Sequence, residues 1–354
     1  MDINKIRELF IKATKEDYFS GVALIKQGDK TLFSYNSGYA HRGFSIENSI
    51  NTRFDSASIT KLFTAVSIFQ LIDKGFLKLE EKVLDILDIK DTKISKEVTI
   101  YHLLTHTSGI GDDADEEAGE SYEDIWKGKP NYSVRKLEDY LENFIHREPN
   151  FEPGKGCRYN NCAFILLGLV IEKLTGVSYR EYVKKNIFNR IGMNDTEFLS
   201  MDGINENTAE GYVPIEEGEE IIGWRKNIYS YPPIGAADAG AYVTLYDLDK
   251  FFRELVNNKL LSEKLTKEIL NFKELYRENN ERIYYMGYGF EHVLRKRDNK
   301  VFCIKKDGSN AGVANVVNYY PEIDTTFIIL SNTDACDIWD LAFEVQENLG
   351  VEII

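Results

Sequence analysis

Ser58 and Lys61 have the types and the spacing of a nucleophile paired with its proton acceptor. In a helix, residues three apart lie about one turn from each other on the same face. The run that follows Lys61 is almost entirely apolar, so we expect a buried helix, and burial lowers the pKa of a lysine amine. The start of a helix also offers backbone N–H groups to a developing oxyanion.

S-x-x-K is a weak signal by itself, for two reasons. A serine at the start of a helix is also an ordinary N-cap. The same spacing occurs again at Ser133 and Lys136, in a polar stretch with no apolar helix behind it. Taken singly, Ser58 is better explained as a structural cap than as a nucleophile.

Tyr159 and Asn161 form a Y-x-N between a turn-rich segment and an apolar helix predicted from Cys162. A tyrosine at such a junction can act as a general acid or base when cations lower its pKa. Asn161 can hydrogen-bond a substrate amide. A surface tyrosine followed by a helix-capping asparagine explains the same pattern, so both interpretations stay open.

Lys306 and Gly308 lie in a strand predicted near the C-terminal end of the chain. Alternation along a strand sends Lys306 to one face and Asp307 to the other. Gly308 leaves room for a ligand to lie against the strand. The alternative is a strand end followed by a turn, and Lys26-Gln27-Gly28 also fits K-x-G.

Other motifs of enzymes and metal sites are missing from the sequence. It has no G-x-S-x-G, no H-E-x-x-H and no complete glycine loop for phosphates. His102 and His106 are spaced i, i+4 without an acidic ligand, so we interpret them as packing and turn support. The cysteines at 157, 162, 303 and 336 show no C-x-x-C spacing and are interpreted as buried small hydrophobes. We expect neither metal nor cofactor.

Charge and hydropathy exclude further classes of protein. The 354 residues include 43 Lys and Arg and 58 Asp and Glu, for a formal net charge of −15. An acidic surface repels phosphate backbones, so we expect no nucleic-acid partner. No stretch approaches the roughly 20 apolar residues of a membrane span, and the N-terminal segment has no secretory apolar run. We therefore expect a cytoplasmic protein without a membrane span, unless a leader has been removed.

The elements that position these residues can be predicted from periodicity and turn signals. The middle of the chain is mostly helical, and acidic stretches such as residues 112–120 and 215–220 are expected to be solvated loops. The pattern predicts a helix at 2–14, a hairpin turning at Gly28-Asp29, a helix from Ser58 to Gly75, a helix at 162–174, a capping box at Ser178, four strands after about 280 and a helix at 337–349.

These elements predict an α/β (α+β) fold. Its antiparallel sheet is built from both parts of the chain and flanked by N- and C-terminal helices, and an all-helical subdomain is inserted between them. We assign residues 1–75 and 212–354 to the sheet domain and residues 76–211 to the helical subdomain. The active site is expected in the cleft between the two.

The order of the motifs is more specific than any one of them. S-x-x-K, Y-x-N and K-x-G, with LLTHTSG (103–109) between the first two, resemble the serine β-lactamase and penicillin-binding-protein superfamily. The chain is most similar to the branch of class C β-lactamases, DD-carboxypeptidases and family VIII esterases. The matching context includes FDSASITKLFTA (54–65), FEPGKGCRYNNCAFILLGLVIEKLTG (151–176) and KKDGSNAGVANVVNYYPE (305–322).

The resemblance implies a role for each matching residue. Ser58 would be the acylated nucleophile and Lys61 its proton acceptor. Tyr159 would carry a proton to the leaving group and activate the deacylating water. Asn161 would hold the acyl amide of the substrate.

On the C-terminal strand, the resemblance implies that Lys306 lowers the pKa of Tyr159 and binds a substrate carboxylate. The backbone N–H groups of Ser58 and Ser309 would form the oxyanion hole, beside Gly308. Much of the branch carries histidine or tryptophan in place of Lys306, so the lysine favours carboxylate-bearing substrates. Asp307 stands where β-lactamases carry threonine, which removes a hydroxyl that helps to hold that carboxylate and weakens the β-lactamase interpretation.

The leading hypothesis is a serine hydrolase, free of metal and cofactor, that forms an acyl-enzyme at Ser58. Its substrate would be an amide, lactam or ester, a small molecule or peptide bearing a carboxylate, as for a β-lactamase or a D-alanyl carboxypeptidase. One alternative is a cytoplasmic carboxylesterase of the family VIII type. Another is a non-catalytic sensor that binds penicillin or peptide without turnover.

Overall fold

An eight-stranded antiparallel sheet is the centre of the computed structural model, which describes residues 1–16, 18–218 and 220–350. The strands are β1 (Gly21–Gln27), β2 (Lys30–Ser37), β3 (Tyr39–His41), β4 (Ile46–Glu47), β5 (Phe54–Asp55), β6 (Tyr212–Glu217), β7 (Glu220–Lys226), β8 (Tyr242–Val243), β9 (Glu274–Glu278), β10 (Arg282–Met286), β11 (Glu291–Arg295), β12 (Val301–Asn310), β13 (Val313–Tyr320) and β14 (Thr325–Ser331). Across the large sheet their order is β2-β1-β14-β13-β12-β11-β10-β9. Strands from the two parts of the chain are therefore neighbours, as the sequence predicts.

Helices cover both faces of this sheet. They are α1 (Ile3–Glu16), α2 (Lys61–Asp73), α3 (Val83–Leu87), α4 (Ile100–Leu104), α5 (Tyr122–Gly128), α6 (Cys162–Thr175), α7 (Tyr179–Val183), α8 (Asn189–Ile191), α9 (Leu245–Val256), α10 (Glu263–Ile269) and α11 (Ile338–Glu347). The capping box predicted at Ser178 is formed with Glu181 and opens α7. Among the described residues, we find no single helix that is long and apolar enough to cross a membrane.

The central strands read as continuous apolar runs because both of their faces are buried. Val22 and Leu24 of β1 belong to one hydrophobic cluster, whereas Ala23 and Ile25 belong to another on the opposite face. The second cluster is closed by helices α1 and α11. The first cluster continues into α2, α6 and the other helices of the middle of the chain.

Helix α2, which follows Ser58, is enclosed on all sides, as its sequence predicts. Its first eleven residues, Lys61 to Leu71, are all buried. The division into a sheet domain (1–75 and 212–354) and a helical subdomain (76–211) stays a prediction. Helices α3 to α8 all fall within the second range, and their apolar residues share the first cluster with those of the sheet.

Two acidic stretches differ from the expectation of solvated loops. Asp112 and Asp113 are 4% and 3% exposed, because Asp112 accepts backbone N–H groups at the start of α6. The stretch at 215–220 contributes to β6 and β7, which pair as a separate hairpin with largely exposed side chains.

Candidate active site

Ser58 lies in a 3₁₀ turn, Ala57–Thr60, that leads directly into α2. Strands β5 and β8 pair immediately before this turn, and the Ser56 N–H donates to the Ala241 carbonyl at 2.8 Å. Ala57 adopts a left-handed φ of 43°, a conformation that a side chain strains. The Asp55 carboxylate holds it there by accepting the Ala57 N–H at 2.8 Å. The turn is thus fixed on both sides of the serine.

Lys61 is fully buried, and its ammonium has three acceptors. They are Ser58 Oγ at 3.1 Å, Asn161 Oδ1 at 2.7 Å and the Asp238 carbonyl at 2.9 Å. Burial lowers the pKa of Lys61 to about 8, against the attraction of Asp238 and with help from Lys306. A substantial neutral fraction at mild alkaline pH fits a proton acceptor for Ser58.

Tyr159 contacts Ser58 from the other side, with its hydroxyl donating to Ser58 Oγ at 2.8 Å. Its ring lies against the His106 ring at a centroid distance of 4.6 Å, which gives His106 the packing role expected from the sequence. The ammoniums of Lys61 and Lys306 lie 5.0 and 4.6 Å from the Tyr159 ring centre.

The pKa of Tyr159 shifts in the direction opposite to the one that the resemblance implies. Burial raises it well above 10, and the negative charges of Glu116 and Glu291 add to this effect. Tyr159 therefore stays protonated at neutral pH, whereas the lowered pKa of Lys61 lets its amine lose a proton more easily.

Asn161 is held at the start of α6 by Asp112. The backbone N–H groups of Asn161 and Cys162 donate to the two Asp112 carboxylate oxygens at 3.0 and 3.2 Å. This leaves the Asn161 side chain to accept from Lys61 and to donate to Glu116 at 3.3 Å. The Asn161 side chain thus connects Lys61 to Glu116.

Strand β12 brings the K-x-G residues against the turn that carries Ser58. A Cβ on Gly308 would lie 2.4 Å from Ser56 O and 3.2 Å from Ser58 N, so only glycine fits this close approach. Ser309 shares the wall of a cavity of about 310 Å³ with Ser58 and Asn161. Lys306 lies beside Tyr159 instead: its side chain is 2% exposed and pairs with Glu291 at 2.9 Å.

The structure thus gathers all seven residues predicted from the sequence in one region, and it adds four that sequence reasoning missed: Asp112, Glu116, Asp238 and Glu291. Asp112 and Glu116 belong to the acidic stretch read as a solvated loop. Asp238 lies in a glycine- and alanine-rich loop, and Glu291 faces β12 from the neighbouring strand. No local sequence pattern marks these four residues, because their positions depend on contacts between distant parts of the chain.

One group in the described residues has the composition of a metal site. Ligand atoms of Asp112, Asp113 and Cys162 lie within 4.8 Å of one another. Asp112 and Cys162 already accept hydrogen bonds from backbone N–H groups: Asp112 caps α6, and Cys162 Sγ accepts from the Asp113 N–H at 3.3 Å. We interpret the group as a helix cap.

A serine, a lysine and a tyrosine in contact at the start of a buried helix, beside an antiparallel sheet, define a serine hydrolase of the β-lactamase and penicillin-binding-protein type. The family model described as "Beta-lactamase" matches residues 6–338, and the chain belongs to that family.

Named relatives agree with this assignment. The chain is 29% identical over 347 residues to penicillin-binding protein 4* of Bacillus subtilis, covering 93% of this chain and 71% of the relative. A crystal structure of a penicillin-binding protein from Bacillus halodurans is 36% identical, with a TM-score of 0.88 over 96% of this chain and 100% of that one. A D-stereospecific amidohydrolase from Streptomyces sp. is 20% identical, with a TM-score of 0.80 over 98% of each chain, and shares the fold.

Proposed function

We propose that this chain hydrolyses amides, lactams or esters through an acyl-enzyme on Ser58. The observation that carries the proposal is the position of Ser58 Oγ, which lies 3.1 Å from Lys61 Nζ and 2.8 Å from the Tyr159 hydroxyl. A weak nucleophile is thereby in contact with both a base and an acid.

Neutral Lys61 is oriented to accept the serine proton. An amine has two N–H groups, and two of its three neighbours, Asn161 Oδ1 and the Asp238 carbonyl, can act only as acceptors. Both N–H groups are therefore engaged, and the lone pair faces Ser58 Oγ. Attack of Oγ on the substrate carbonyl then moves the Ser58 proton to Lys61.

Tyr159 would deliver a proton to the leaving group. Its raised pKa keeps the hydroxyl protonated, and its hydroxyl is close enough to Ser58 to reach the atom that departs. Lys61 would then return the serine proton to Tyr159, which restores the neutral amine and the phenol. Water, activated through the same tyrosine and lysine, would attack the acyl group and free Ser58. Backbone N–H groups of Ser58 and Ser309 would bind the oxyanion, and the contact of β12 with the nucleophile turn supports this geometry.

The penicillin-binding relatives support β-lactams as the first substrates to test, and the sequence resemblance adds D-alanyl peptides. Time-resolved intact mass with benzylpenicillin should show an adduct that is lost in Ser58→Ala. Ser133→Ala is the matched control, because it removes the serine of the second S-x-x-K, which lies on the exposed surface. An adduct that decays within a second with product indicates a β-lactamase, and one that lasts minutes indicates a penicillin-binding type.

Short p-nitrophenyl esters separate the remaining alternatives. Ser58-dependent ester hydrolysis without a penicillin adduct would favour the carboxylesterase. Saturable binding of a cell-wall peptide, with neither adduct nor product from any of these compounds, would contradict the hydrolase and favour a sensor.

A further inference from the structure

A chain of buried hydrogen bonds runs from the 3₁₀ turn before α2 to the end of strand β12. It begins at Asp55, whose Oδ1 accepts the Ala57 N–H at 2.8 Å and whose Oδ2 accepts the Tyr231 hydroxyl at 3.1 Å. The Tyr231 oxygen in turn accepts from Asn227 Nδ2 at 2.6 Å. The same Nδ2 donates to the Ala311 carbonyl at 3.0 Å, in the turn between β12 and β13. Three side chains thus connect two segments that are far apart in the sequence.

The three connecting side chains, those of Asp55, Tyr231 and Asn227, are all buried. Burial raises the pKa of Asp55 to about 6, so above that pH the carboxylate is ionised and both oxygens can only accept. A Cβ on Gly211 would lie 1.9 Å from Asn227 Nδ2, which shows how closely this amide is packed. A buried network whose members are all hydrogen-bonded makes the surrounding structure rigid.

Asp55 has a second connection to the same region. Its backbone carbonyl accepts from Asn315 Nδ2 at 2.9 Å. Asn315 is on β13, directly opposite Gly308 of β12. Its Oδ1 accepts the Ser331 N–H of β14 at 3.2 Å, which fixes the orientation of the amide. Asp55 is therefore attached to the end of β12 by its side chain and to β13 by its backbone.

Both ends of the chain lie next to the N–H groups that the proposed function assigns to the oxyanion. Ser58 follows Ala57, and the conformation of Ala57, with its left-handed φ of 43°, sets the direction of the Ser58 N–H. Ser309 is on β12, just before the turn at Ala311. An oxyanion hole stabilises the developing charge only when its donors point at one position. The hydrogen-bond chain joins the segments that carry these two donors.

We infer that the Asp55–Tyr231–Asn227 chain positions the two donors of the oxyanion hole relative to each other. This inference rests on the proposed function, because it concerns the same reaction. The three residues are positioning residues, which act through the backbone of the two segments. The sequence resemblance assigns no role to any of them.

Direct contact with the substrate is the competing hypothesis, because Asp55 and Tyr231 also reach the wall of the cavity beside Ser58. The two hypotheses differ in their kinetics. Loss of a contact that the bound substrate already makes raises KM, whereas a misplaced oxyanion donor lowers kcat.

Tyr231→Phe tests the inference, because it removes the central hydroxyl and leaves the ring in place. We would measure kcat and KM for p-nitrophenyl acetate at about pH 8, where part of Lys61 is neutral. We expect kcat to fall about tenfold and KM to stay within about twofold. If benzylpenicillin is the only substrate, the maximal rate and the half-saturation of acylation are compared instead.

Phenylboronic acid provides a second readout that does not depend on turnover. Its boron bonds to Ser58 Oγ, the serine proton passes to Lys61, and the boron becomes tetrahedral with a hydroxyl at the position of the oxyanion. The adduct therefore resembles the transition state. Its inhibition constant should rise about tenfold in Tyr231→Phe, in parallel with the fall in kcat.

Tyr320→Phe is the matched control. Tyr320 is also buried, and its hydroxyl likewise accepts from an asparagine, Asn318 at 3.2 Å, and donates to a side chain, Gln346 at 3.1 Å. It belongs to the cluster closed by α1 and α11, on the face of the sheet opposite to α2. Both variants should shift the midpoint of urea unfolding to a similar extent, but only Tyr231→Phe should lower kcat.

Asp55→Asn and Asp55→Ala separate the contact from the charge. Asparagine can still accept the Ala57 N–H and donate to the Tyr231 oxygen, whereas alanine can do neither. We expect kcat to stay within about fivefold of wild type in Asp55→Asn and to fall about 100-fold in Asp55→Ala. Equal losses in the two variants would contradict positioning through this contact.

The failure of the inference can be distinguished from the failure of the proposed function. Equal kcat in Tyr231→Phe and Tyr320→Phe, or a raised KM with unchanged kcat, overturns the inference and leaves the proposed function intact. Wild-type protein that neither hydrolyses the ester nor is acylated by benzylpenicillin contradicts the proposed function, and the inference with it.

Discussion

At the scale of single residues, the site combines a lysine with a lowered pKa and a tyrosine with a raised pKa. Burial is the largest cause of both shifts, and it disfavours the charged form of each group. The charged form is the protonated lysine but the deprotonated tyrosine, so the two pKa values move in opposite directions. The same desolvation therefore prepares Lys61 to take a proton and Tyr159 to give one.

The pH dependence of activity should follow Lys61. The neutral amine becomes the major form as pH rises through about 8, so kcat/KM for p-nitrophenyl acetate should rise through that value and then level off. A pH profile of initial rates measures this directly.

Lys61→Arg provides the control for that profile. A guanidinium stays protonated, so activity should fall by at least about 100-fold at every pH. A flat profile in the wild type, or an active arginine variant, would contradict the assignment of Lys61 as the base.

Glu291 should limit the binding of anionic substrates. Glu291→Gln removes the partner of Lys306 and leaves its ammonium available to a carboxylate. We expect benzylpenicillin to acylate the variant about threefold faster, as measured by intact mass against time. Glu278→Gln removes an exposed partner of Lys296 and should leave the rate unchanged. A slower or equal rate in Glu291→Gln would show that Lys306 does not contact the carboxylate.

At the scale of elements, the site is a junction of three segments. The turn before α2 carries Ser58, the start of α6 carries Asn161, and β12 closes the third side at Gly308. None of these segments can move by an ångström without separating the reacting groups.

Gly308→Ala should therefore reduce activity more than stability. The added methyl would lie 2.4 Å from Ser56 O and push β12 away from the turn that carries Ser58. We expect kcat for p-nitrophenyl acetate to fall about 100-fold. Gly223→Ala in β7, where the new Cβ has ordinary contacts from 3.7 Å, should be neutral in the same assay. Full activity of Gly308→Ala would mean that β12 takes no part in positioning the serine.

The sequence predicted those elements that depend on residues close together in the chain. The hairpin at Gly28-Asp29, the buried helices α2 and α6, and the capping box at Ser178 all follow from residues next to each other in the chain. Asp112 could not be found this way, because its burial depends on the start of α6, fifty residues later. The contact between Glu291 and Lys306 likewise depends on the register of β11 against β12.

At the scale of the whole molecule, one buried carboxylate joins distant parts of the fold. Asp249 of α9 binds Lys26 of β1 at 2.6 Å, Arg253 of its own helix at 2.9 Å and the Thr326 hydroxyl of β14. Its side chain is 1% exposed. The helix is thereby fixed to β1 and β14, the pair of strands that joins the N-terminal and C-terminal parts of the chain in the sheet.

Asp249→Ala should destabilise the protein strongly, since it leaves the largely buried Lys26 ammonium without its carboxylate partner and removes the nearer of two carboxylates from Arg253. We expect a loss of about 3 kcal/mol in the free energy of unfolding, measured with urea. Glu263→Ala breaks an exposed ion pair with Lys267 and should cost less than about 0.5 kcal/mol. Similar losses in the two variants would rule out a special role for Asp249.

The pairing of β1 with β14 also has a consequence for folding during synthesis. β1 lies between β2 and β14, and Gly21 is opposite Ser331. On the ribosome, the β1–β2 hairpin emerges long before its other neighbour is synthesised. One edge of an apolar strand is then open for most of translation, and such edges promote aggregation. We therefore expect this protein to depend on chaperones that shield a nascent chain, and truncations before residue 325 to be insoluble.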